Sequence, residues 1–325
     1  MAETAERPKF ELKLGMATRD AYGKALVELG RTNPNVVVLD ADLSKSTKTN
    51  LFAKEFPGRF IECGIAEANM VGIAGGLAAA GKIPFVSSFA CFLMNKAFDQ
   101  LRIAVAYPKW NVKVVTTHGG ISIGEDGPSQ QSVEDYALAC ALPGFVVTSP
   151  ADETSTRALV LRAAEHVGPV YMRTGRPRVP IIYPDKNEPF EFGRAKRLVD
   201  GSDVTLIGCG VTVAECLKAA EALAQSGIRA RVLDMHTLKP VDREAVAAAA
   251  GDTGAMVCVE EHLLDGGLGS QVARAAAEMA PVPMEFIGIV DTYAESGTPE
   301  ELLEKYGLTA PHIVRAAERV LRRKK

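Results

Sequence analysis

The amino-acid sequence predicts an α/β fold with two domains, each a mostly parallel sheet flanked by helices. Short runs rich in β-branched residues alternate with helical segments along most of the 325-residue chain. This alternation is typical of strand–helix–strand units, in which helices cover a parallel sheet. It is interrupted once, where four prolines lie close together among mixed charges, as in an ordered connector. We therefore expect a polar tail over 1–13, a first domain over 14–175, a linker over 176–201 and a second domain over 202–325.

The composition argues against several classes of protein. With 47% hydrophobic and 24% charged residues, the chain is typical of soluble globular proteins. A formal net charge of -3 argues against nucleic acid as the main partner, because phosphate neutralisation needs clustered lysine and arginine. Six cysteines occur without a CxxC pair or zinc-like spacing, so we expect reduced thiols and no metal site. Neither a signal sequence nor an apolar run of roughly 18 residues is found, which favours a cytoplasmic protein without a membrane partner.

Apolar runs locate the strands, and periodic and capping patterns locate the helices between them. A long helix is expected over 89–107, and a capping box at 132–135 predicts the start of another. Strands are predicted over 36–39, 83–88, 112–117, 145–148 and 170–173 in the first domain, and over 204–207, 230–233 and 256–259 in the second.

Polar residues follow two of these strands directly. Because open α/β sheets bind ligands beyond the carboxyl ends of their strands, Asp42 and Ser46 are candidate ligand contacts. Turn formation and helix capping explain the same two residues about equally well from the local sequence. Another strand runs into His118 and then the glycine-rich loop GGISIGEDGPSQQ. That loop lacks the GK[ST] ending of a phosphate-binding P-loop, which argues against a nucleoside triphosphate ligand.

One carboxylate, Glu67, stands at the start of an apolar helix rich in glycine and alanine. Glycine inside a helix costs about 1 kcal/mol relative to alanine. A close approach by another backbone is therefore the expected reason for Gly72, Gly75 and Gly76. Position alone explains Glu67 by the helix dipole, which favours an anion at the helix N-terminus.

The second domain contains a partial dinucleotide-binding pattern. Gly208-Cys-Gly210-Val-Thr-Val213 follows a strand and opens a helix, but Val213 stands where a third small residue is required. A nicotinamide function is therefore not favoured. The segment Asp265–Ser270 precedes another helix and has two interpretations, an anion site or a connection whose glycines adopt positive φ.

Nine segments form an ordered set of motifs along the chain. The first six are MATRDAYGKAL, DADLSKST, RFIECGIAEANMVGIAGGLAAAGKIPFVSSF, THGGISIGEDGPSQQ, SPADE and YMRTGRP, and the last three are TLKPVD, VEEHLLDGGLGSQV and SGTPEELLEKYGL. The set resembles the transketolase family, the first six segments its pyrimidine-binding domain and the last three its C-terminal domain. The resemblance covers nearly the whole chain from about Leu14 onward.

The resemblance also implies a partner chain. A normal transketolase has a preceding domain that holds the diphosphate and magnesium ion of thiamine diphosphate, for which this chain has no room. The resemblance therefore implies the C-terminal subunit of a split transketolase, working in a heterotetramer with an N-terminal subunit that holds the magnesium ion.

The resemblance also implies roles for individual residues. Glu67 matches the acid that hydrogen-bonds the aminopyrimidine nitrogen of thiamine diphosphate. Glu67 and His118 are the expected catalytic residues. The cofactor contacts implied are Glu67, Asp42, Phe89 and Phe92, and the sugar-phosphate contacts implied are Arg19, Ser46, His118, Asp126, Gln130 and Arg173.

Gln130 stands where the family usually has histidine. Glutamine forms hydrogen bonds but cannot exchange a proton near neutral pH, so the reaction itself is left open. The alternatives are a deoxyxylulose phosphate synthase, the beta subunit of a 2-oxo-acid decarboxylating component, and a non-catalytic regulatory subunit. An unused buried acid such as Glu67 is costly to keep, which argues against the regulatory subunit.

Overall fold

Two large sheets organise the computed structural model, which describes residues 10–324. The predicted α/β class with two mostly parallel sheets is confirmed, and every predicted strand is present. The strands are β1 (Leu14–Ala17), β2 (Val36–Asp40), β3 (Phe60–Glu62), β4 (Ile83–Phe89), β5 (Lys113–Thr117), β6 (Val146–Thr148), β7 (Val170–Arg173), β8 (Arg178–Pro180), β9 (Lys196–Val199), β10 (Val204–Gly208), β11 (Ala230–Asp234), β12 (Thr237–Lys239), β13 (Met256–Leu263) and β14 (Met284–Ile289). The helices are α1 (Thr18–Thr32), α2 (Ser44–Thr47), α3 (Asn50–Glu55), α4 (Glu67–Ala79), α5 (Ala90–Lys96), α6 (Phe98–Gln100), α7 (Asp135–Ala141), α8 (Glu153–Glu165), α9 (Thr212–Gln225), α10 (Arg243–Thr253), α11 (Leu268–Met279), α12 (Pro299–Lys305) and α13 (Ala310–Arg323).

The first sheet has seven strands in the order β12-β6-β7-β5-β4-β2-β3. All neighbours are parallel except β12 and β6. Strands β2, β5 and β7 are buried at every position because helices cover both faces of the sheet. Their carboxyl ends therefore meet at one edge, where polar side chains from several strands can converge.

The second sheet has five strands in the order β14-β13-β10-β11-β9, with β9 antiparallel to β11. Two of the short strands, β8 and β9, lie in the stretch predicted as a linker over 176–201. Strand β8 pairs with β1 and strand β9 pairs with β11, so this stretch is hydrogen-bonded to both halves of the chain. Of the predicted tail, Phe10 and Leu12 pack against apolar residues of the second sheet, whereas residues 1–9 lie outside the described part.

A single cluster of buried apolar side chains extends through both sheets. It includes Leu142 and Phe145 below the first sheet together with Met235, Leu238 and Cys258 from the second half of the chain. Because side chains from both sheets pack together in this cluster, it fixes the two sheets relative to each other.

Two predicted helical features are wrong. The helix expected over 89–107 is divided into α5, α6 and a π-helical turn over Leu101–Ala106. The capping box expected at Ser132–Asp135 does not form, because α7 begins only at Asp135, without a side-chain cap on its first turn. The Asp135 side chain instead accepts hydrogen bonds from Tyr171 and Arg173 inside the fold.

The glycines of α4 serve two different faces. A Cβ at Gly75 would lie 2.7 Å from the carbonyl oxygen of Ala104, so Gly75 allows the π-helical turn to approach closely. Gly72 and Gly76 are exposed, and a Cβ there would have no neighbour within 4 Å among the described residues. The close-approach explanation therefore holds for Gly75 within the chain and leaves the other two facing outward.

We expect Gly75→Ala to destabilise the chain by about 1–3 kcal/mol through overpacking against Ala104. The matched change Gly76→Ala should stabilise the isolated chain by up to about 1 kcal/mol, since alanine is the better helix former and the site is open. Urea unfolding of both variants measures the difference. Equal effects of the two substitutions would contradict this account of the helix.

Candidate functional site

The carboxyl edge of the first sheet gathers most of the polar residues singled out by the sequence. Strand β2 leads to Asp42 and Ser46, β4 ends at Phe89, and β5 leads directly into His118. Glu67 follows β3 as the first residue of α4. Parallel strand ends at one edge are where α/β sheets bind ligands.

A buried carboxylate that the sequence analysis missed fixes the turn after β2. Asp40 is fully buried and accepts hydrogen bonds from the Leu43 amide and from the hydroxyls of Thr47 and Thr49 at 2.6–2.8 Å. Burial raises the pKa of Asp40 to about 6, although these hydrogen bonds oppose the rise. The sequence does contain a signal for Asp40, because this residue directly follows the strand predicted over 36–39 and precedes Asp42 by two residues.

Asp42 itself is exposed and adopts a positive φ of 61°. Its amide donates to Oε1 of Glu62 at 2.8 Å, and the Gly64 amide donates to the same oxygen at 3.0 Å. The backbone at Asp42 and Gly64, between β2 and α4, is thus held by one carboxylate.

His118 is held as a neutral imidazole. Nη1 of Arg19 lies 3.2 Å from its Nε2, and since a guanidinium only donates, Nε2 must be the unprotonated nitrogen. Nδ1 therefore carries the hydrogen and donates to Oγ1 of Thr117 at 2.6 Å. Burial, followed by the nearby charges of Arg19, Arg176 and Lys48, lowers the pKa of His118 to about 3. Near neutral pH, His118 therefore accepts a hydrogen bond at Nε2 and donates one at Nδ1.

Three cationic side chains surround this histidine. Arg19 donates both to His118 and to the carbonyl oxygen of Ser46, at 3.2 Å each. Arg176 is half-buried and donates to the carbonyl oxygen of Ile123 and to Glu125. Lys48 forms an ion pair with Asp20 at 3.2 Å. The cluster presents a concentration of positive charge beside a neutral ring.

The expected role of Arg173 as a phosphate contact requires correction. Its side chain is 4% exposed, and its guanidinium forms ion pairs with Asp135 at 3.3 Å and Glu261 at 3.2 Å. It also lies over the ring of Tyr136 at 4.4 Å. Arg176, three residues further along, is the arginine whose charge reaches His118 and Arg19.

An aromatic wall leads from the histidine to Glu67. The His118 and Phe89 rings stack with centroids 3.7 Å apart, and the Phe89 and Phe92 rings stack at 5.5 Å. The ammonium of Lys96 lies 4.5 Å from the Phe92 ring centroid and 3.5 Å from Oε1 of Glu67. Glu67 is 3% exposed, whereas Lys96 is half-exposed and can move away.

The glycine-rich loop borders the same edge with less direct contact. Asp126 is exposed, and Gln130 is half-buried. The backbone carbonyl oxygen of Gln130 accepts a hydrogen bond from the Cys91 thiol at 3.1 Å. Cys91 follows Phe89 by two residues, so this bond ties the loop to the aromatic wall. Successive contacts join the side chains of Arg19, His118, Phe89, Phe92, Lys96 and Glu67. Ser46 joins this series only through its backbone carbonyl oxygen, which accepts from Arg19.

Both glycine patterns of the second domain are filled by the protein itself. A Cβ at Gly210 would lie 2.5 Å from Oγ of Ser149, so the turn that mimics a dinucleotide site packs against the first domain. At the start of α11, the Glu260 carboxylate accepts from the amides of Leu268 and Gly269 at 2.6 and 2.8 Å. The anion at this helix N-terminus is therefore a side chain of the chain itself.

Two further properties complete the description of residues 10–324. They contain no group of three or more His, Cys, Asp or Glu side chains arranged to hold a metal ion. None of their helices combines the length and the apolar character needed to cross a membrane.

We expect His118 to stay neutral between pH 8 and pH 5, with hydrogen on Nδ1, because its pKa lies near 3 in the folded chain. Since the unfolded histidine binds a proton below about pH 6.5, this group costs stability progressively as the pH falls from 6.5 towards 3. Two-dimensional ¹⁵N NMR of histidine-labelled protein, assigned with His118→Gln, measures the tautomer and its titration. A His118 signal that titrates near pH 6.5 would contradict this assignment.

Comparison with known proteins identifies the family. The transketolase pyrimidine-binding domain model matches residues 15–181, and the transketolase C-terminal domain model matches residues 193–313. The chain is 46% identical to the "Putative transketolase C-terminal section" of Methanocaldococcus jannaschii, over 91% of this chain and 94% of that protein. It is 44% identical to the 6-deoxy-6-sulfo-D-fructose transketolase subunit of Clostridium sp. (strain MSTE9), over 97% and 98% of the two chains.

A solved structure gives the same result. A split-gene transketolase in an inactive beta4 tetramer superposes with a TM-score of 0.90 at 51% identity, over 96% of this chain and 100% of that one. The chain belongs to the transketolase family and is a C-terminal transketolase section, carrying the pyrimidine-binding and C-terminal domains of a split, thiamine diphosphate-dependent transferase.

Proposed function

We propose that this subunit supplies the pyrimidine end of the thiamine diphosphate site and the anion-binding end of the sugar site for two-carbon ketol transfer between sugar phosphates. The observation that carries the proposal is the line of contacts from Arg19 through His118, Phe89, Phe92 and Lys96 to Glu67. It supports the proposal because three cationic side chains and a buried acid lie at opposite ends of one aromatic wall.

The residues at the acid end suit an aminopyrimidine. Phe89 and Phe92 offer stacked ring faces, and Glu67 is a buried carboxylate whose described partner is a half-exposed lysine. When bound, thiamine diphosphate would supply the carbanion chemistry that ketol transfer requires, and these residues would hold and orient its pyrimidine ring. Glu67 would hold a proton at the ring nitrogen, and Lys96 would move towards solvent to admit the ring. Asp42, exposed beyond β2, would face the same cofactor.

The residues at the other end suit a sugar phosphate. Arg19 and Arg176 offer planar guanidinium groups for phosphate oxygens, and Lys48 adds a third positive charge. Neutral His118 would orient a sugar hydroxyl without releasing a proton. Ser46 would contribute its hydroxyl to the phosphate, and Asp126 and Gln130 would contact hydroxyls along the sugar. We do not assign Arg173 a substrate contact, because its guanidinium already pairs with two carboxylates.

We further propose that an N-terminal transketolase subunit holds the diphosphate and the magnesium ion, in a cytoplasmic heterotetramer. Gly72 and Gly76 leave one face of α4 open, and the nearby Ile103 and Tyr107 are exposed apolar side chains. An exposed apolar patch of this kind is typical of a subunit interface. We propose this face as the contact between two copies of the chain. In each copy, we propose that the pyrimidine-binding domain covers 14–175 and the C-terminal domain covers 202–325.

Phosphate and sulfonate are two candidate terminal groups for the sugar substrate. The Clostridium relative is named for a sulfo-sugar, and its chain matches this one over nearly its full length. A sulfonate and a phosphate both present oxygens to arginine, but the phosphate carries more charge. Because three cations surround His118, we favour phosphate as the natural terminal group.

Glu67→Gln should lower kcat by about 100-fold or more in the complex with the N-terminal subunit, since glutamine cannot hold or release the proton. The assay uses xylulose 5-phosphate as donor and ribose 5-phosphate as acceptor. Glu165→Gln, an exposed change on α8, is the matched control. Full activity of Glu67→Gln would contradict the catalytic assignment, and preference for pyruvate as donor would favour the alternative thiamine enzymes.

The two neighbouring arginines should behave differently. Arg176→Met should raise KM for sugar phosphates by about 10- to 100-fold, from the loss of charge-assisted hydrogen bonds worth about 1.5–3 kcal/mol, with little change in stability. Arg173→Met should instead destabilise the chain by about 3–5 kcal/mol by leaving buried carboxylates unpaired. Steady-state kinetics and urea unfolding separate the two effects. Kinetics with 6-deoxy-6-sulfofructose show whether Arg176 also serves a sulfonate.

A further inference from the structure

The end of β13 carries two buried carboxylates with different partners. Glu260 and Glu261 are 2% and 5% exposed. Glu260 turns towards its own domain and accepts from the first amides of α11. Glu261 turns the other way, into the first domain, where it meets the glycine-rich loop over 119–131.

Glu261 grips the backbone at the start of this loop. Its Oε1 accepts from the amides of Ile121 and Ser122 at 2.7 and 2.5 Å. Two amides converging on one ionised oxygen fix the local backbone direction more firmly than neutral hydrogen bonds would. The carbonyl oxygen of the next residue, Ile123, accepts a hydrogen bond from the Arg176 guanidinium.

The same carboxylate is tied to the first domain by charge. Its Oε2 lies 3.2 Å from Nη2 of Arg173, and that nitrogen also donates to the Glu261 carbonyl oxygen at 2.8 Å. Asp135 holds the other side of the guanidinium at 3.3 Å. Arg173 is therefore a fixed counterion that keeps the Glu261 side chain under the loop.

The loop packs directly on this ion pair. A Cβ at Gly119 would overlap the Arg173 side chain, and a Cβ at Gly120 would overlap both Arg173 and the Glu261 carboxyl. Gly120 also has a positive φ of 78°. The two glycines that follow His118 thus stand where the backbone lies against the Arg173–Glu261 ion pair, Gly119 against Arg173 and Gly120 against both side chains.

The second domain also holds the far end of the loop. The side-chain amide of Gln131 donates to the carbonyl oxygen of Glu295 at 3.0 Å, and the Leu263 amide donates to the carbonyl oxygen of Val133 at 2.8 Å. Asp126 and Gln130 lie between the two anchored ends. Their placement therefore depends on contacts from a domain that contributes no side chain to the aromatic wall.

We propose that Glu261 is a positioning residue through which the C-terminal domain sets the shape of the sugar-binding loop. The proposal rests on the proposed function for its kinetic consequence, because Asp126, Gln130 and Arg176 are sugar contacts only there. The anchoring of the loop by Glu261 is independent of that function.

Glu260 provides a matched control, since it is equally buried, adjacent in sequence and bonded to α11 instead of the loop. In the complex with the N-terminal subunit, Glu261→Ala should raise KM for the sugar phosphates about tenfold or more while kcat falls less. Glu261→Gln keeps an acceptor for the two amides and should recover part of that loss. Glu260→Gln should leave KM unchanged even if it lowers the melting temperature.

Hydrogen–deuterium exchange supplies a readout that does not require turnover. Peptides covering 119–131 should exchange faster in Glu261→Ala than in the wild-type chain, and should be unchanged in Glu260→Gln. Unchanged exchange in Glu261→Ala, or an equal rise in KM for both glutamates, would overturn the proposal. A wild-type complex that does not convert sugar phosphates would count against the proposed function, while the exchange experiment would still test the anchoring.

Discussion

The ion pairs of Arg173 with Asp135 and Glu261 join the two domains at the carboxyl edge of the first sheet. Removing ions from water costs several kcal/mol per ion, so such a group persists only with good geometry and satisfied hydrogen bonds. Here the guanidinium meets both carboxylates, a carbonyl oxygen and the face of Tyr136. What the arrangement provides is a fixed surface on which glycine backbone can lie.

The same arginine shows what a motif does not reveal by itself but a predicted strand does. Arg173 and Arg176 occur in one short motif, YMRTGRP, and the motif alone does not say which faces the ligand. The distinction comes from the strand: Arg173 is the last residue of β7, buried at every position, whereas Arg176 lies beyond its end. Strand limits were predictable from the apolar run, so this signal was available.

Other parts of the site were predictable for physical reasons, and some were not. The strand ends that carry Asp42, Phe89 and His118 follow from periodicity and from the geometry of parallel sheets. The lowered pKa of His118 comes first from burial and then from the charge of Arg19, a residue 99 positions away, and no local pattern reveals either cause. Glu260 and Glu261 look alike in sequence, yet one completes a helix N-terminus and the other crosses the domain boundary.

Strand β12 has a consequence for the architecture as a whole. It comes from the second half of the chain but forms the edge of the first sheet beside β6. A fragment ending near residue 201 would leave β6 as an uncovered strand with unpaired amides and carbonyls, which is a template for aggregation. The two halves are therefore joined through main-chain hydrogen bonds. We expect the pyrimidine-binding half to aggregate when it is produced without the second half.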